Sequence, residues 1–267
     1  MNPTADPTPA PTDPQDLFSV DGRRVVVTGG TSGIGRMIAG GFVAAGSDVV
    51  VTSRKADAVD GTVAELSSVG SCAGFTSDLS TEDGCRALAD WVAQRWDSLD
   101  VLVNNAGATW GAPLAEQDSR VWSRVLDLNV QGVFHTTKFL LPLLQAAGSA
   151  EDPARIINIG SVNGIDPPPM ETYSYSASKA AVHQLTRHLA GQLAPEVTVN
   201  AVAPGAFPSK MMAATLDAFG DAIISSTPMR RVGRPDDMAG IALFLSSRAG
   251  SYVTGAVIPV DGGSSTC

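Results

Sequence analysis

Tyr175 and Lys179 stand four positions apart in the run Tyr175-Ser176-Ala177-Ser178-Lys179, and Ser161 lies upstream at the end of an apolar run. If the later segment is helical, residues at that spacing share a face, so a phenol and an ammonium project into the same space. The pairing suits proton transfer. A free tyrosine titrates near pH ~10, and a neighbouring cation lowers that value by favouring the phenolate. A serine hydroxyl beside them would hold a substrate oxygen. Tyr173 competes for the proton-donor role, but four residues on it meets Ala177 instead of a lysine, which leaves it to pack or to line the pocket.

Short apolar runs alternate with helical patterns along the chain and would set these residues in place. Arg23 to Val27, Asp48 to Thr52, Cys72 to Thr76, Asp100 to Val103, Arg155 to Ile159, Val197 to Val202 and Ala256 to Val260 read as strands. Several are nearly continuous in β-branched or aliphatic residues, as expected for strands covered on both faces. Between them Ile34, Ile38 and Phe42 share one helical face, Ser80 with Asp83 forms a capping pair, and apolar periodicity runs from Trp122 to Leu144. This alternation predicts one α/β domain, a Rossmann-type doubly wound parallel sheet of about seven strands with helices on both faces. The domain is expected over 17–267, with a lid segment near 206–230. Met1 to Asp16 carries five prolines and reads as a flexible leader.

The first strand runs into Thr28-Gly29-Gly30-Thr31-Ser32-Gly33-Ile34-Gly35. Glycines there let the backbone turn tightly and approach a pyrophosphate, whose charge is favoured by free amides at the start of the next helix. Without a ligand the same stretch is only a tight turn. The second strand ends Thr52-Ser53-Arg54-Lys55, where an acidic residue would hold ribose hydroxyls and repel a 2′-phosphate. Hydroxyl plus guanidinium welcomes that phosphate, so NADP(H) is expected ahead of NAD(H). The bland alternative is a solvated pair at a helix start.

Composition narrows the partners. The chain of 267 residues is 44% hydrophobic and 17% charged, with a formal net charge of -9. Such a balance supports a sizeable core and argues against nucleic acid or an anionic membrane as the main partner. No basic-then-apolar signal opens the chain, and no apolar span is long enough to cross a bilayer. The cysteines Cys72, Cys85 and Cys267 are widely spaced and unlike metal pairs, which fits a reduced, cytoplasmic setting. His135, His183 and His188 have no ligand-like partners and read as helix-surface or interface residues; no metal is called for.

Taken in order, the Thr28 to Gly35 loop, Asp78-Leu79, Asn104-Asn105-Ala106-Gly107, Asn129, Ser161, Tyr175 with Lys179, and Pro204-Gly205 resemble the short-chain dehydrogenase/reductase family over Phe18 to Gly263. The resemblance implies cofactor contacts from Gly29, Thr31, Ser32, Gly33, Ile34 and Gly35, from Ser53 and Arg54, and from Asp78 and Leu79 beside the adenine. It implies that Asn105, Ala106 and Gly107 line the adenosine side and that Pro204, Gly205, Phe207 and Ser209 border the nicotinamide. Asn129 would kink its helix and hold a water in a proton relay to Lys179, and Lys179 would also hold the nicotinamide ribose. Locally the wording is closest to the rhamnolipid-associated 3-oxoacyl reductases, in Asn105 to Ala112, Ile157 to Val162, Tyr173-Ser174-Tyr175 and Pro204 to Ser209. One departure stands out. Thr31-Ser32 occupy the place where many NADP-using members carry a basic residue, so the 2′-phosphate would rest mainly on Ser53 and Arg54.

The chemistry expected is reduction of a small-molecule carbonyl: hydride from NADPH to carbon, a proton from Tyr175 to oxygen, and a hydrogen bond from Ser161 as charge develops. Met170, Met211, Met212 and Met229 fall in segments flanking the cleft and would suit an apolar ketone or a 3-oxoacyl ester. Asp166-Pro167-Pro168-Pro169 should stiffen the loop facing the site. Acidic Glu151, Asp152 and Glu196 stand where carrier-docking relatives have arginines, which favours a CoA or free ester over a carrier-bound chain. The alternatives are an NAD-linked dehydrogenase of a polyol, sugar acid or steroid, and a non-catalytic dinucleotide sensor. A homotetramer built on the long helices and last strand is implied by the resemblance.

Overall fold

The computed structural model describes residues 13–168 and 170–265, so Met1 to Thr12 of the leader, Pro169 and Cys267 lie outside the described residues. In chain order the elements are α1 (Pro14–Phe18), β1 (Arg24–Thr28), α2 (Gly33–Ala44), β2 (Asp48–Ser53), α3 (Ala56–Leu66), β3 (Cys72–Thr76), α4 (Glu82–Arg95) and β4 (Val101–Asn104). They continue with α5 (Ser119–Leu126), α6 (Val133–Ala147), β5 (Ala154–Ile159), α7 (Tyr173–Leu193), β6 (Val197–Pro204), α8 (Ala213–Ser226), α9 (Pro235–Ser246) and β7 (Val257–Val260). The short helix α1, capped by the Asp13 carboxylate, begins inside the stretch read as leader.

Seven strands form one parallel sheet in the order β3-β2-β1-β4-β5-β6-β7. Alternation along β1 shows why the valine runs had to be strands buried on both sides. Val25 and Val27 pack with Ile38 and Phe42 of α2 and Met238 of α9, whereas Val26 faces Leu88 of α4 and Leu140 of α6. Each such side chain, fully buried, contributes about 1.5–3 kcal/mol. The strand order reverses between β1 and β4, and a crevice opens there beyond the strands' carboxyl ends.

Local corrections have physical causes. Thr81, not Ser80, caps α4: its Oγ1 accepts from the Gly84 amide at 3.0 Å, while Ser80 donates its hydroxyl to the Asp78 carboxylate at 2.8 Å. A carboxylate is the stronger acceptor and takes Ser80 away from the helix end. The periodic stretch from Trp122 to Leu144 is α5 and α6 joined through a π-helical turn over Asp127–Gly132.

Near the amino-terminal end of β5, away from the crevice, Arg155 is 1% exposed, and its Nη2 donates to Asp152 at 3.1 Å and to the Ser247 carbonyl at 3.2 Å. Burial pushes the guanidinium pKa down, with the Asp152 charge opposing it. Asp152→Ala would leave that cation without its carboxylate. The expected loss is about 2–3 kcal/mol, the low side for a broken buried pair because Asp152 is half-exposed. Chemical denaturation should show a lower midpoint with an unchanged slope.

Candidate active site

The floor of the crevice is sewn together by two side chains. Thr28 Oγ1 donates to the Val103 carbonyl and accepts from the amides of Asn105 and Ala106, at 3.2, 2.9 and 3.0 Å. Asn105 Nδ2 returns bonds to the carbonyls of Thr28 and Gly29 at 2.8 and 3.1 Å. β1 and β4 therefore end in one rigid surface. Gly35 makes this possible from below: a Cβ there would lie 2.3 Å from Asn105 Nδ2, so any side chain would push α2 off the floor. Above it Gly33 takes φ +53°, and Ser32 caps α2 without a side-chain bond, which leaves the first amides of a 12-residue helix to an anion.

A cavity of about 930 Å³ spans this floor and the end of β5. Gly29, Thr31, Ser32, Gly33 and Ile34 line one end, with Ser53, Arg54 and Leu79 beside them. Asn105, Ala106 and Gly107 line the middle, followed by Pro204, Gly205, Phe207 and Ser209, and then by Ser161, Tyr175 and Lys179. Three expected contacts stand outside the wall. Gly35 lies beneath it, Asn129 is buried behind it, and Asp78 is exposed. Burial pushes the Asp78 carboxyl up, but hydrogen bonds from Ser80 and the Arg54 charge outweigh it and leave the pKa below the ordinary value.

The trio converges because α7 packs against the end of β5. Ser161 is 6% exposed and begins a short 3₁₀ turn, its Oγ accepting from the Asn163 amide at 3.1 Å and lying near enough to the Tyr175 phenol to act on its pKa. Lys179 is buried, with Nζ donating to the Ile159 carbonyl at 2.7 Å and lying 5.7 Å from the centre of the Tyr175 ring. The electrostatics differ from the helix-pair expectation. Burial raises the Tyr175 pKa, with the Ser161 hydroxyl pulling the other way, so the phenol keeps its proton. Lys179 sits under the ring instead of at the hydroxyl, and burial lowers its own pKa to about 8. In the free enzyme kcat/KM for NADPH should therefore fall as pH rises through about 8, where the ammonium loses its proton. A profile from pH ~6 to ~10 checks this; a flat response to its upper end would contradict it.

Asn129 braces the site instead of facing it. Nδ2 donates to the Ala108 carbonyl and to Ser178 Oγ, both at 2.9 Å, and Oδ1 accepts from the Ala108 amide at 2.8 Å. Ser178 in turn donates to the Tyr175 carbonyl at 2.7 Å. Other expectations need correction. Tyr173 is 39% exposed on the first turn of α7 and lines no part of the cavity. Met170, Met211 and Met212 line it, but Met229 is exposed outside. His183 is buried rather than superficial, while His188 is exposed and His135 Nδ1 lies 3.9 Å from Glu82. Wall residues unforeseen from sequence are Phe219 and Ile223 of α8 and, after β7, Ser264 and Ser265. Asp261 holds that last stretch by accepting from the Gly263 amide and from Ser265 Oγ at 2.9 and 2.7 Å.

A family model described as Enoyl-(Acyl carrier protein) reductase matches residues 29–265. The chain belongs to the short-chain dehydrogenase/reductase family. As a member of that family it is an NAD(P)-dependent oxidoreductase. It is 48% identical over 250 residues to the rhamnolipids biosynthesis 3-oxoacyl-acyl-carrier-protein reductase of Pseudomonas aeruginosa, covering 92% of this chain and 97% of that one. The galactitol 2-dehydrogenase (L-tagatose-forming) of Cereibacter sphaeroides is 38% identical over 94% of this chain and 98% of its own length. Among solved structures, the Pseudomonas aeruginosa RhlG/NADP active-site complex matches with a TM-score of 0.90 and 46% identity, over 93% of this chain and 98% of that chain. The reductase has no helix among its described residues long and apolar enough to cross a membrane, and no described cluster fit to hold a metal.

Proposed function

We propose that this enzyme reduces an apolar ketone, such as a 3-oxoacyl ester, to the alcohol with NADPH. One observation carries the reading: a phenol beside a serine hydroxyl, with a buried lysine beneath, stands on the same cavity wall as a glycine turn and an arginine. The cavity fits a dinucleotide. The uncapped amides of α2 suit its pyrophosphate, and Ser53 with Arg54 suits a 2′-phosphate. Bound there, the cofactor supplies hydride. Ser161 donates a hydrogen bond to the carbonyl oxygen as negative charge builds on it, and Tyr175 passes its phenolic proton to the same oxygen. Lys179 holds Ile159 and underpins the ring, and its charge stabilises the phenolate left behind. Asn129 keeps α7 at the correct distance through Ser178.

The far wall supports an apolar substrate. Met170, Met211 and Met212 with Phe219 and Ile223 present adaptable, uncharged surface, and Asp166 to Pro168 stiffen the opposite rim. A net charge of -9 supports a CoA or free ester over an acidic carrier. Glu151, Asp152 and Glu196 lie near the starts of β5 and β6, away from the cavity, and Asp152 is ion-paired with Arg23 and Arg155. The enzyme is further proposed to act as a cytoplasmic homotetramer, supported by the free thiols of Cys72 and Cys85 and by Phe134, 43% exposed on α6.

The test is NADPH consumption with 3-oxoacyl-CoA, carrier-bound 3-oxoacyl chains, simple ketones and polyols with NAD. The proposal expects turnover on the first and a lower KM for it than for the carrier-bound form. Preference for polyol oxidation with NAD would overturn it, and cofactor binding without any turnover would point to a sensor. Light scattering on the eluted protein decides the assembly.

A further inference from the structure

His183 occupies the position one turn beyond Lys179 and two beyond Tyr175 on the same face of α7, and it is 3% exposed. Its ring fills space left by two glycines of the Ser161 loop. A Cβ on Gly160 would come within 2.2 Å of His183 Nε2, and one on Gly164 within 2.9 Å of Cε1. The reason a polar ring belongs there lies in the backbone. Pairing between β5 and β6 ends at Ile159 with Val202, and the Gly160 amide still reaches the Val202 carbonyl. The next amide, that of Ser161, is buried beyond the ladder. Its hydrogen-bond partner among the described residues is His183 Nε2, at 3.4 Å. A buried amide requires an acceptor, and a long bond to imidazole is the one supplied.

We propose that His183 is a positioning residue for Ser161: its unprotonated Nε2 receives the serine's amide hydrogen and so sets where the hydroxyl points relative to Tyr175. This rests on the catalytic reading of Ser161 and Tyr175 given above. α7 then grips the β5 end at two points, with Lys179 on the Ile159 carbonyl and His183 on the Ser161 amide, and sets the Tyr175 phenol beside the Ser161 hydroxyl. For Nε2 to accept, the ring must be neutral with its proton on Nδ1. Burial, together with the Lys179 charge, pushes its pKa down to about 4 against the opposing pull of the Gly164 backbone, in keeping with a neutral ring at neutral pH.

His183→Leu keeps the volume and deletes the acceptor, whereas His183→Gln can place an amide oxygen where Nε2 lies. The leucine variant should lose about tenfold in kcat with NADPH affinity within about twofold of wild type, and glutamine should restore most of that loss. Equal losses in both variants, unchanged kcat in the leucine variant, or a parallel loss of NADPH binding would overturn the proposal. Should the leucine variant not fold, nitrogen-15 NMR of the wild-type protein decides, with the signals assigned through His135→Gln and His188→Gln. Nε2 should be unprotonated and Nδ1 protonated at neutral pH; the opposite tautomer cannot accept from Ser161 and would sink the idea. Ser161→Ala separates the two layers. If it retains wild-type turnover the catalytic reading fails, whereas a slow Ser161→Ala beside a fully active His183→Leu refutes only the positioning role.

Discussion

Replacing Tyr175 by phenylalanine is expected to lower kcat for carbonyl reduction by about a thousandfold while NADPH affinity changes less than about threefold. The substitution removes one oxygen from a ring that stays packed over Lys179. What disappears is the proton donor. Burial raises the phenol's pKa, so the group arrives at the reaction protonated across the neutral range. Stopped-flow measurement of hydride transfer, set beside fluorescence titration of NADPH, separates the chemical step from binding. A phenylalanine variant that kept a tenth or more of wild-type kcat would show that water or another group delivers the proton.

Arg54→Asp should produce the second large effect, a loss of about a hundredfold in kcat/KM for NADPH with little change or a gain for NADH. Arg54 borders the cavity at the end of β2, next to Ser53, and Thr31 and Ser32 of the glycine turn offer no cation to share the load. On the proposed reading, phosphate binding there depends on a single guanidinium. A carboxylate in its place would repel the phosphate and accept from ribose hydroxyls instead. Paired kinetics with the two cofactors give the answer, and an unchanged ratio would move the 2′-phosphate elsewhere.

Much of this was legible from residue types alone. The valine runs of β1 and β2 could be nothing but buried strands, and their alternation with amphipathic stretches dictates the parallel sheet. The glycine turn, Arg54, Ser161, Tyr175 and Lys179, which line one cavity, were readable as candidates because each proposed function needs that residue type at that spacing. Properties set by three-dimensional surroundings were not. The helix-pair rule for Tyr175 and Lys179 considers two charges and omits desolvation, which here dominates both pKa values. Ser80 looks like a cap until Asp78 is seen to claim its hydroxyl. Ser264 and Ser265 reach the site only because the sheet order carries the end of β7 beside β6. His183 did leave a trace, since it continues the spacing of Tyr175 and Lys179 by one more turn.

The π-helical turn over Asp127–Gly132 bears on how this protein can change over generations. Such a turn is equivalent to one surplus residue in a regular helix. Deleting a single codon there would heal the helix and improve its local geometry, yet it would also rotate α5 against α6 by about 100° and carry the Asn129 amide away from Ala108 and Ser178. The residue count through this turn is therefore set by the brace behind α7 and not by the regularity of the helix that carries it.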